Sequence, residues 1–351
     1  MFIYERQSIH GDALAVKFAS CFRLLYTACA LLLLSRSQVV SILFLFVDGV
    51  GLAPEGPDNP LSDAPTPAIR SLLNGALTIE RVGASSGVLL RPLDATMGVT
   101  GLLQSGTGQT ALLTGVNVAA IHGRHQPHVP PVALRPLLME RSIFCRLTEG
   151  GRRVAFANAF GARYWEAPAA RRLRRSASVI AAEGAGVRFR NDTDLRAGSA
   201  LTWDITGEMI RASGGDAPII SARAAGARLA RLAAHYDLVF FETFITDLAG
   251  HGRLAHMVSS EQPSHAVTEQ IHMAMERVDG LIAGVIDTMR SGDTLILTSD
   301  HGNIESLMAK THTRNPTPLL VIGRDTSRFE HLISIVQVAD AVVAAAQESL
   351  A

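Results

Sequence analysis

The sequence predicts an α/β protein of three layers, in which a mostly parallel central sheet lies between two layers of helices and carries a small inserted cap. Two observations lead to this fold class. Continuous apolar runs of strand length recur along the chain, and segments with apolar residues at helical spacing alternate with them. Runs that are apolar on both faces are typical of parallel strands buried under helices. Alternation of strands and helices favours the same architecture.

Four apolar runs are predicted to be buried strands of this parallel sheet, namely ILFLFV (42–47), LVFFETF (238–244), TLILTS (294–299) and PLLVIG (318–323). RRVAFANAF (152–160) is a further strand candidate, and helices are predicted around 136–149 and over 265–289. The alternation stops at 161–218, which we interpret as the inserted cap. Residues 41–160 and 219–351 are then expected to form the core domain, with boundaries good to a few residues.

The net charge and the cysteines limit which partners and which location are expected for this protein. The 351 residues contain 32 Lys and Arg against 32 Asp and Glu, so the formal net charge is zero. Proteins that bind nucleic acid or membrane surfaces usually carry a basic excess, so neither partner is expected. Cys21, Cys29 and Cys145 are widely spaced and fit neither a disulfide framework nor a metal knuckle, which favours free thiols and a cytoplasmic location.

Residues 1–40 are predicted to be an extension ahead of the core domain, either disposable or a loosely packed helix. The apolar run at 24–34 is too short to cross a hydrocarbon layer of ~30 Å at ~1.5 Å per residue. A signal peptide is the alternative, although no small-x-small cleavage site follows before Arg36. We therefore expect no stable membrane insertion and keep export or anchoring as the minor alternative.

Residues able to bind metal follow the predicted strands. Asp48 ends the first run in VDGVG, and Asp300 and His301 follow the third in TSDHGN. Asp247 comes just after the second run. Because ligands of open parallel sheets bind beyond the carboxyl ends of the strands, these three carboxylates are expected to converge on one edge.

Two histidines extend this set. His251 lies four residues after Asp247 in DLAGH, a spacing that lets both side chains reach one ion from a turn, and His312 lies in THTRNPTP before the last strand. Each motif alone is explained as well by an ordinary polar turn or a hydrogen-bonded histidine. Together they offer oxygen and nitrogen ligands without sulfur, which suits two Mn²⁺ or Zn²⁺ ions, with Mg²⁺ possible at the more oxygen-rich position.

A hydroxyl group completes the set of candidate site residues. In QSGTGQT (104–110), Ser105 and Thr107 lie in a Gly-rich turn that opens a helix-like run. Backbone N–H groups at such a turn can hold a phosphate. In isolation the segment is better explained by a Ser or Thr N-cap.

Taken in order, VDGVG, SGTGQT, DLAGH, TSDHGN and THTRNPTP resemble the metalloenzyme domain shared by cofactor-independent phosphoglycerate mutase, phosphopentomutase and, more distantly, alkaline phosphatase. The resemblance covers about 42–345 apart from the cap and implies an alkaline phosphatase-like fold. It implies that one ion is held by Asp48, Ser105, Asp300 and His301, and the other by Asp247, His251 and His312. It also implies that Ser105, three residues before Gly108, is the nucleophile and forms a phosphoserine, with Thr107 as the rival.

The function expected from this resemblance is that of a phosphomutase or phosphomonoesterase acting on a small phosphorylated metabolite. Gln109 replaces the histidine that follows the motif glycine in the mutases, and the cap is much shorter than that of phosphoglycerate mutase. One alternative is a phosphodiesterase or sulfatase-like metallohydrolase, although Ser105 lacks the Pro and Arg of a C/S-x-P-x-R context. The other is a non-catalytic metal-binding relative, which the seven competent ligand residues disfavour.

Several further residues are weaker candidates. Arginines of the cap are candidates for a substrate clamp, although a solvated basic face explains them better: Arg163, Arg171, Arg172, Arg174 and Arg175. His122, His125 and His128 are better explained as part of a surface loop. Glu242, on a buried strand, is either a carboxylate that orients a ligand histidine or a residue at a strand edge.

Overall fold

The structure is a computed structural model that describes residues 40–166, 175–254 and 266–348. The apolar run at 24–34, and the predicted extension up to residue 39, lie outside these residues. None of the helices in the described ranges is both long enough and apolar enough to cross a membrane.

A seven-stranded sheet forms the middle layer, in the order β2-β3-β7-β6-β1-β5-β4. The strands are β1 (Ile42–Val47), β2 (Gly83–Ser85), β3 (Val88–Leu93), β4 (Val154–Phe156), β5 (Leu238–Thr243), β6 (Thr294–Thr298) and β7 (Thr317–Gly323). Strands β6, β1, β5 and β4 are parallel to one another, and β3 shares their direction because both it and β6 are antiparallel to β7. The predicted α/β class with a mostly parallel sheet is confirmed.

The last predicted strand is present, but its expected direction is wrong. Strand β7 is antiparallel to β6, with Thr298 opposite Leu319 and Thr294 opposite Gly323. A run that is buried on both faces has the same pattern in either direction, so the sequence could not distinguish them. As a consequence, the connection 299–316 leaves and returns at one edge of the sheet, and it carries part of the candidate site.

Helices cover both faces of the sheet. In the described ranges they are α1 (Pro67–Leu73), α2 (Ser105–Thr114), α3 (Val118–His122), α4 (Arg135–Arg141), α5 (Ile143–Glu149), α6 (Ala162–Glu166), α7 (Ala177–Gly184), α8 (Asp192–Arg196), α9 (Glu208–Ala212), α10 (Ala222–Ala233), α11 (Ile245–Gly250), α12 (Val267–Ile286) and α13 (Val338–Glu348). The predicted helix at 136–149 is two helices, because Ser142 has an extended backbone and caps α5 through Cys145 N–H.

Strand β1 separates two apolar cores. Phe44 and Phe46 contact one core with helices α2 to α5, α7 and α13, whereas Leu43 and Leu45 contact the other with α1 and α10 to α12. Side chains alternate across a strand, so a run that is apolar throughout fills both cores. This arrangement gives the three predicted layers.

The division into a core domain and a cap at 161–218 stays a prediction. Within that range, Val179 and Ile180 of helix α7 are buried in the same core as α4 and α5. Leu195, Ala200 and Ala217 form a separate small cluster. The segment is joined to the end of β4 by bridges from Asn158 and Ala159.

Candidate metal centre

The three aspartates predicted to converge lie at one edge of the sheet. Asp48 follows β1 directly, Asp247 lies in α11 directly after β5, and Asp300 is two residues past β6. Because β1, β5 and β6 are parallel, their carboxyl ends meet at that edge. The predicted convergence is confirmed.

The first group of candidate ligands is buried. One ligand atom from each of Asp48, Asp300 and His301 lies within 4.8 Å of the other two. His301 Nε2 is 3.3 Å from Asp48 Oδ1 and 3.7 Å from Asp300 Oδ2. The same nitrogen is 2.9 Å from Ser105 Oγ, so the hydroxyl joins this group.

The second group is half-buried and adjacent to the first. Ligand atoms of Asp247, His251 and His312 also lie within 4.8 Å of one another. Asp247 Oδ2 is 3.5 Å from His251 Nε2, and its Oδ1 is 3.6 Å from His312 Nε2. The rings of His301 and His312 stack with centroids 3.7 Å apart, which places the two groups side by side.

The unsatisfied atoms of the first group fit a cation. Asp300 is fully buried, and neither of its carboxylate oxygens has a hydrogen-bond partner in the part of the chain that is described. Oδ1 of the buried Asp48 also lacks one. A buried charge without a partner is costly, and binding a metal ion is one of the few arrangements that compensates it. The residues present therefore suit a divalent cation.

The protonation states of the two groups agree with this fit. Burial, followed by the nearby Asp300 and Asp247, holds the pKa of Asp48 well above its ordinary value, as expected where carboxylates crowd without a cation. Burial and then the neighbouring His301 lower the pKa of His312. His312 Nδ1 lies 2.7 Å from Leu103 O, which fixes the ring and leaves Nε2 directed to Asp247.

Helix α2 places Ser105 at its first residue, with the buried side chain of Asp300 behind the helix. A Cβ added to Gly108 would lie 2.9 Å from Asp300 Cβ, and one added to Gly106 would lie 2.5 Å from Val129 O. Gly108 therefore lets the helix start pack directly on Asp300, and Gly106 lets it pack on the backbone of Val129. Thr107 is fully buried and donates to Gln104 O, so its hydroxyl is engaged away from the ligand groups.

Glu305 was not among the residues predicted from the sequence. It is fully buried and accepts hydrogen bonds from Gly51 N–H and Asn303 N–H, both at 2.9 Å, and from the Thr313 hydroxyl. Asn303 in turn donates to Asp247 Oδ1 at 2.8 Å. Glu305 thus joins three loops that carry candidate ligands. No pattern around Glu305 in the sequence indicates this role.

The weaker candidates have different surroundings. The Gln109 amide lies 3.4 Å from Asp48 Oδ2, so Gln109 contacts the site. Glu242 is buried and accepts a hydrogen bond from Ser178 at 2.5 Å, rather than from a ligand histidine among the described residues. Burial raises the pKa of Glu242 to about 7. His128 is exposed and lines the cavity beside Ser105.

His125 is buried with its Nε2 3.3 Å from Val99 O, and it does not line the cavity beside Ser105. Of the cap arginines, Arg175 pairs with Glu183 and lies over the Trp165 ring at 6.0 Å. Arg171, Arg172 and Arg174 fall outside the described residues.

Comparisons with known proteins support the resemblance read from the motifs. Residues 217–346 match the sequence model of the Metalloenzyme superfamily. A 2,3-bisphosphoglycerate-independent phosphoglycerate mutase from Syntrophotalea carbinolica is 30% identical over 132 residues, which are 35% of this chain and 21% of that enzyme. A phosphopentomutase from Alkaliphilus oremlandii is 37% identical over 51 residues, 14% of this chain and 13% of that enzyme. The matches thus span about a fifth or less of these relatives.

Solved structures support the fold. The PH0037 protein from Pyrococcus horikoshii is similar with a TM-score of 0.50 and 13% identity, over 88% of this chain and 97% of that one. At this identity the likeness shows the fold alone. The sequence match at 217–346, which includes Asp247, His251 and the DHGN and THTRNPTP segments, confirms the resemblance to the alkaline phosphatase superfamily of metalloenzymes.

Proposed function

We propose that this chain is a two-metal phosphoryl-transfer enzyme, a phosphomutase or phosphomonoesterase that acts on a small phosphorylated metabolite through a phosphoserine at Ser105. The names of its relatives, phosphoglycerate mutase and phosphopentomutase, support the reaction class. The three isolated cysteines support a cytoplasmic location as part of this proposal.

One observation carries the proposal. Two sets of three ligand residues lie side by side at the sheet edge, and a serine hydroxyl at a helix start is 2.9 Å from His301 of the inner set. The inner site would use Asp48, Ser105, Asp300 and His301, and the outer site Asp247, His251 and His312. Carboxylate and imidazole ligands without sulfur suit Mn²⁺ or Zn²⁺, with Mg²⁺ a candidate for the inner site.

Divalent cations bound there would lower the pKa of the attacking hydroxyl and neutralise phosphoryl oxygens. The chain itself supplies the positions of these groups. Ser105 Oγ lies 2.9 Å from His301 Nε2, so both atoms can reach one cation, while the Gln109 amide lies 3.4 Å from Asp48 Oδ2 and helix α2 begins at Ser105. N–H groups of a helix start favour a phosphate at this point.

The proposed reaction has two steps. The Ser105 hydroxyl gives its proton to solvent water, and its Oγ forms a bond to phosphorus while the bond from phosphorus to the leaving oxygen breaks; the leaving alkoxide takes a proton from water. Water or a second substrate hydroxyl then attacks the phosphoserine and gives its proton to solvent, and the released Ser105 oxygen takes a proton from water. Attack by water gives a phosphatase, whereas attack by a second hydroxyl gives a mutase.

The test combines metal content with activity. Elemental mass spectrometry of purified protein should find about two Mn or Zn per chain, and 4-nitrophenyl phosphate should be hydrolysed. Asp300→Ala and His251→Ala should each abolish turnover and lower the metal content while circular dichroism stays unchanged. His235→Ala, an exposed histidine away from the site, is the matched control and should keep both.

Other outcomes would redirect the proposal. Turnover retained in both site variants rules out the two-metal arrangement. Faster hydrolysis of 4-nitrophenyl sulfate or bis(4-nitrophenyl) phosphate than of the monoester assigns the chain to the alternative hydrolase classes. Protein that binds no metal after reconstitution leaves only a non-catalytic relative.

A further inference from the structure

The structure assigns a class of substrate to the proposed active site: we infer that it takes a phosphate monoester whose alcohol carries a planar ring. This inference rests on the proposed function. It comes from a cavity of about 630 Å³ that is lined by Asp48, Ser105 and Asp247 among others. That volume lies in the range of sites that enclose a drug-sized ligand.

Four aromatic side chains line this cavity, namely Phe160, Tyr164, Trp203 and Phe244, although aromatic residues make up only 5% of the chain. Each is part-buried, so each presents some of its ring surface to the cavity. Aromatic walls favour ring-bearing ligands, because offset and edge-to-face contacts add to the gain from burying apolar surface.

The wall is held in place by the backbone. Leu201 pairs with the end of β4 through hydrogen bonds to Ala157 and Ala159, at 2.9 and 2.7 Å. Asp204, fully buried, accepts from Met209 N–H at 2.8 Å. Trp203 lies between these two anchored residues, so hydrogen bonds hold the backbone that carries its ring.

The neighbouring ring is held in a similar way. Phe160 packs against Phe156 and Tyr164, with ring centroids 5.3 and 4.8 Å away. A preformed wall of this kind costs little ordering free energy when a ring binds.

Of the polar residues that line the cavity, Asn158 and Glu242 are bonded within the protein, and His128 and Arg253 line it as well. Asn158 donates to Glu242 O at 2.8 Å and accepts from Glu242 N–H at 2.9 Å. The Glu242 carboxyl is bonded to Ser178. A hydroxyl-rich alcohol would therefore find few free partners on Asn158 and Glu242, whereas a ring loses nothing by contacting them.

A second cavity of about 440 Å³ shares Tyr164, Trp203 and Ile210 with the first cavity. The two cavities are therefore neighbours.

The test uses two substrates whose alcohols have similar acidity, so that the leaving group does not decide the result. For the manganese-loaded protein, kcat/KM for benzyl phosphate should exceed that for glycerol 1-phosphate by at least about tenfold. Adenosine 5′-monophosphate serves as a second ring substrate. If adenosine 5′-monophosphate is preferred over benzyl phosphate, the substrate's ring is that of a nucleotide. If benzyl phosphate is preferred, the ring is that of a simpler aryl alcohol.

Variants of Trp203 test the wall. Trp203→Ala should lower the benzyl-to-glycerol ratio by about tenfold, and Trp203→Phe, which keeps a ring, should restore most of it. Tyr236→Ala is the control, since Tyr236 is also a part-buried aromatic residue but does not line the cavity beside Ser105, and its ratio should stay that of the wild type.

Binding gives a readout that does not depend on turnover. Benzylphosphonate should bind the manganese-loaded protein at least about tenfold more tightly than methylphosphonate does. Equal kcat/KM for the two esters, or a ratio unaffected by Trp203→Ala, overturns the substrate class and leaves phosphoryl transfer standing. Absence of turnover with a retained binding preference instead overturns the proposed function and keeps the cavity's selectivity.

Discussion

The substitution Asp300→Asn tests how much a buried carboxylate destabilises the protein when no metal is bound. The Asp300 carboxylate is fully buried, and its oxygens have no hydrogen-bond partner among residues 40–166, 175–254 and 266–348. It also contributes, after burial, to the raised pKa of Asp48. The substitution removes one buried negative charge while it keeps the shape and volume of the side chain.

The expected sign of the effect depends on metal. In chelator, the variant should be more stable than the wild type by about 1–3 kcal/mol, the usual cost of an unsatisfied buried polar group. With metal in excess, a site filled at 1,000 times its Kd stabilises the wild type by about 4 kcal/mol. Asp300→Asn lacks a charged ligand, so bound metal stabilises it less. With metal in excess, the wild type should therefore be the more stable of the two proteins.

The assay is urea unfolding at pH 8 in EDTA and again in MnCl₂. Asp293→Asn is the matched control, because Asp293 is also fully buried but accepts hydrogen bonds from Ser41 N–H at 3.0 Å and from Arg290. It should be less stable than the wild type under both conditions. The reasoning would be refuted if Asp300→Asn were less stable than the wild type in EDTA and less stable by the same amount in MnCl₂.

Three further substitutions test separate contacts. Glu305→Ala leaves the N–H groups that it binds without an acceptor, so urea unfolding should show a loss of about 3–5 kcal/mol; a loss below 1 kcal/mol would contradict this. Glu242 has a pKa raised from 4.5 to about 7, so its contribution to stability is present below pH 4.5 and lost as pH rises to 7. In EDTA, wild-type stability should therefore fall relative to Glu242→Gln by up to about 3 kcal/mol between pH 4.5 and 7.5. If the stabilities of the two proteins change with pH in parallel, this contribution of Glu242 is excluded. Gly284→Ala places a Cβ 1.9 Å from Arg223 O, which forces α10 and α12 apart and should cost about 1–3 kcal/mol or more in thermal unfolding; an unchanged Tm would show that the helices are not in this contact.

The sheet and the ligand-bearing loops could be predicted because their signals are local. The run at 42–47 is continuous and apolar, and β1 occupies the same six residues. The positions of Asp48, Asp247 and Asp300 after such runs were enough to bring them to one edge, since parallel strands share a direction. The roles of these residues as metal ligands remain a proposal.

Other features depend on contacts between distant segments, and no local pattern reports them. Glu305 is important because Gly51 and Thr313 meet it in space. The aromatic wall brings Trp203 together with Phe160 and Tyr164, and no local pattern places these three rings around one cavity. The hairpin of β2 and β3 was missed because its first strand has three exposed residues and no apolar pattern.

The central claim is that Ser105 is a nucleophile in a two-metal site. Its most direct test is the intact mass of the manganese-loaded protein, quenched in acid during turnover of a phosphate monoester and compared with Ser105→Ala. The account predicts one phosphoryl group on the wild type, mapped to Ser105 by peptide sequencing, and none on the variant, which should be inactive. Phosphate on another residue, or full activity of Ser105→Ala, would contradict the account.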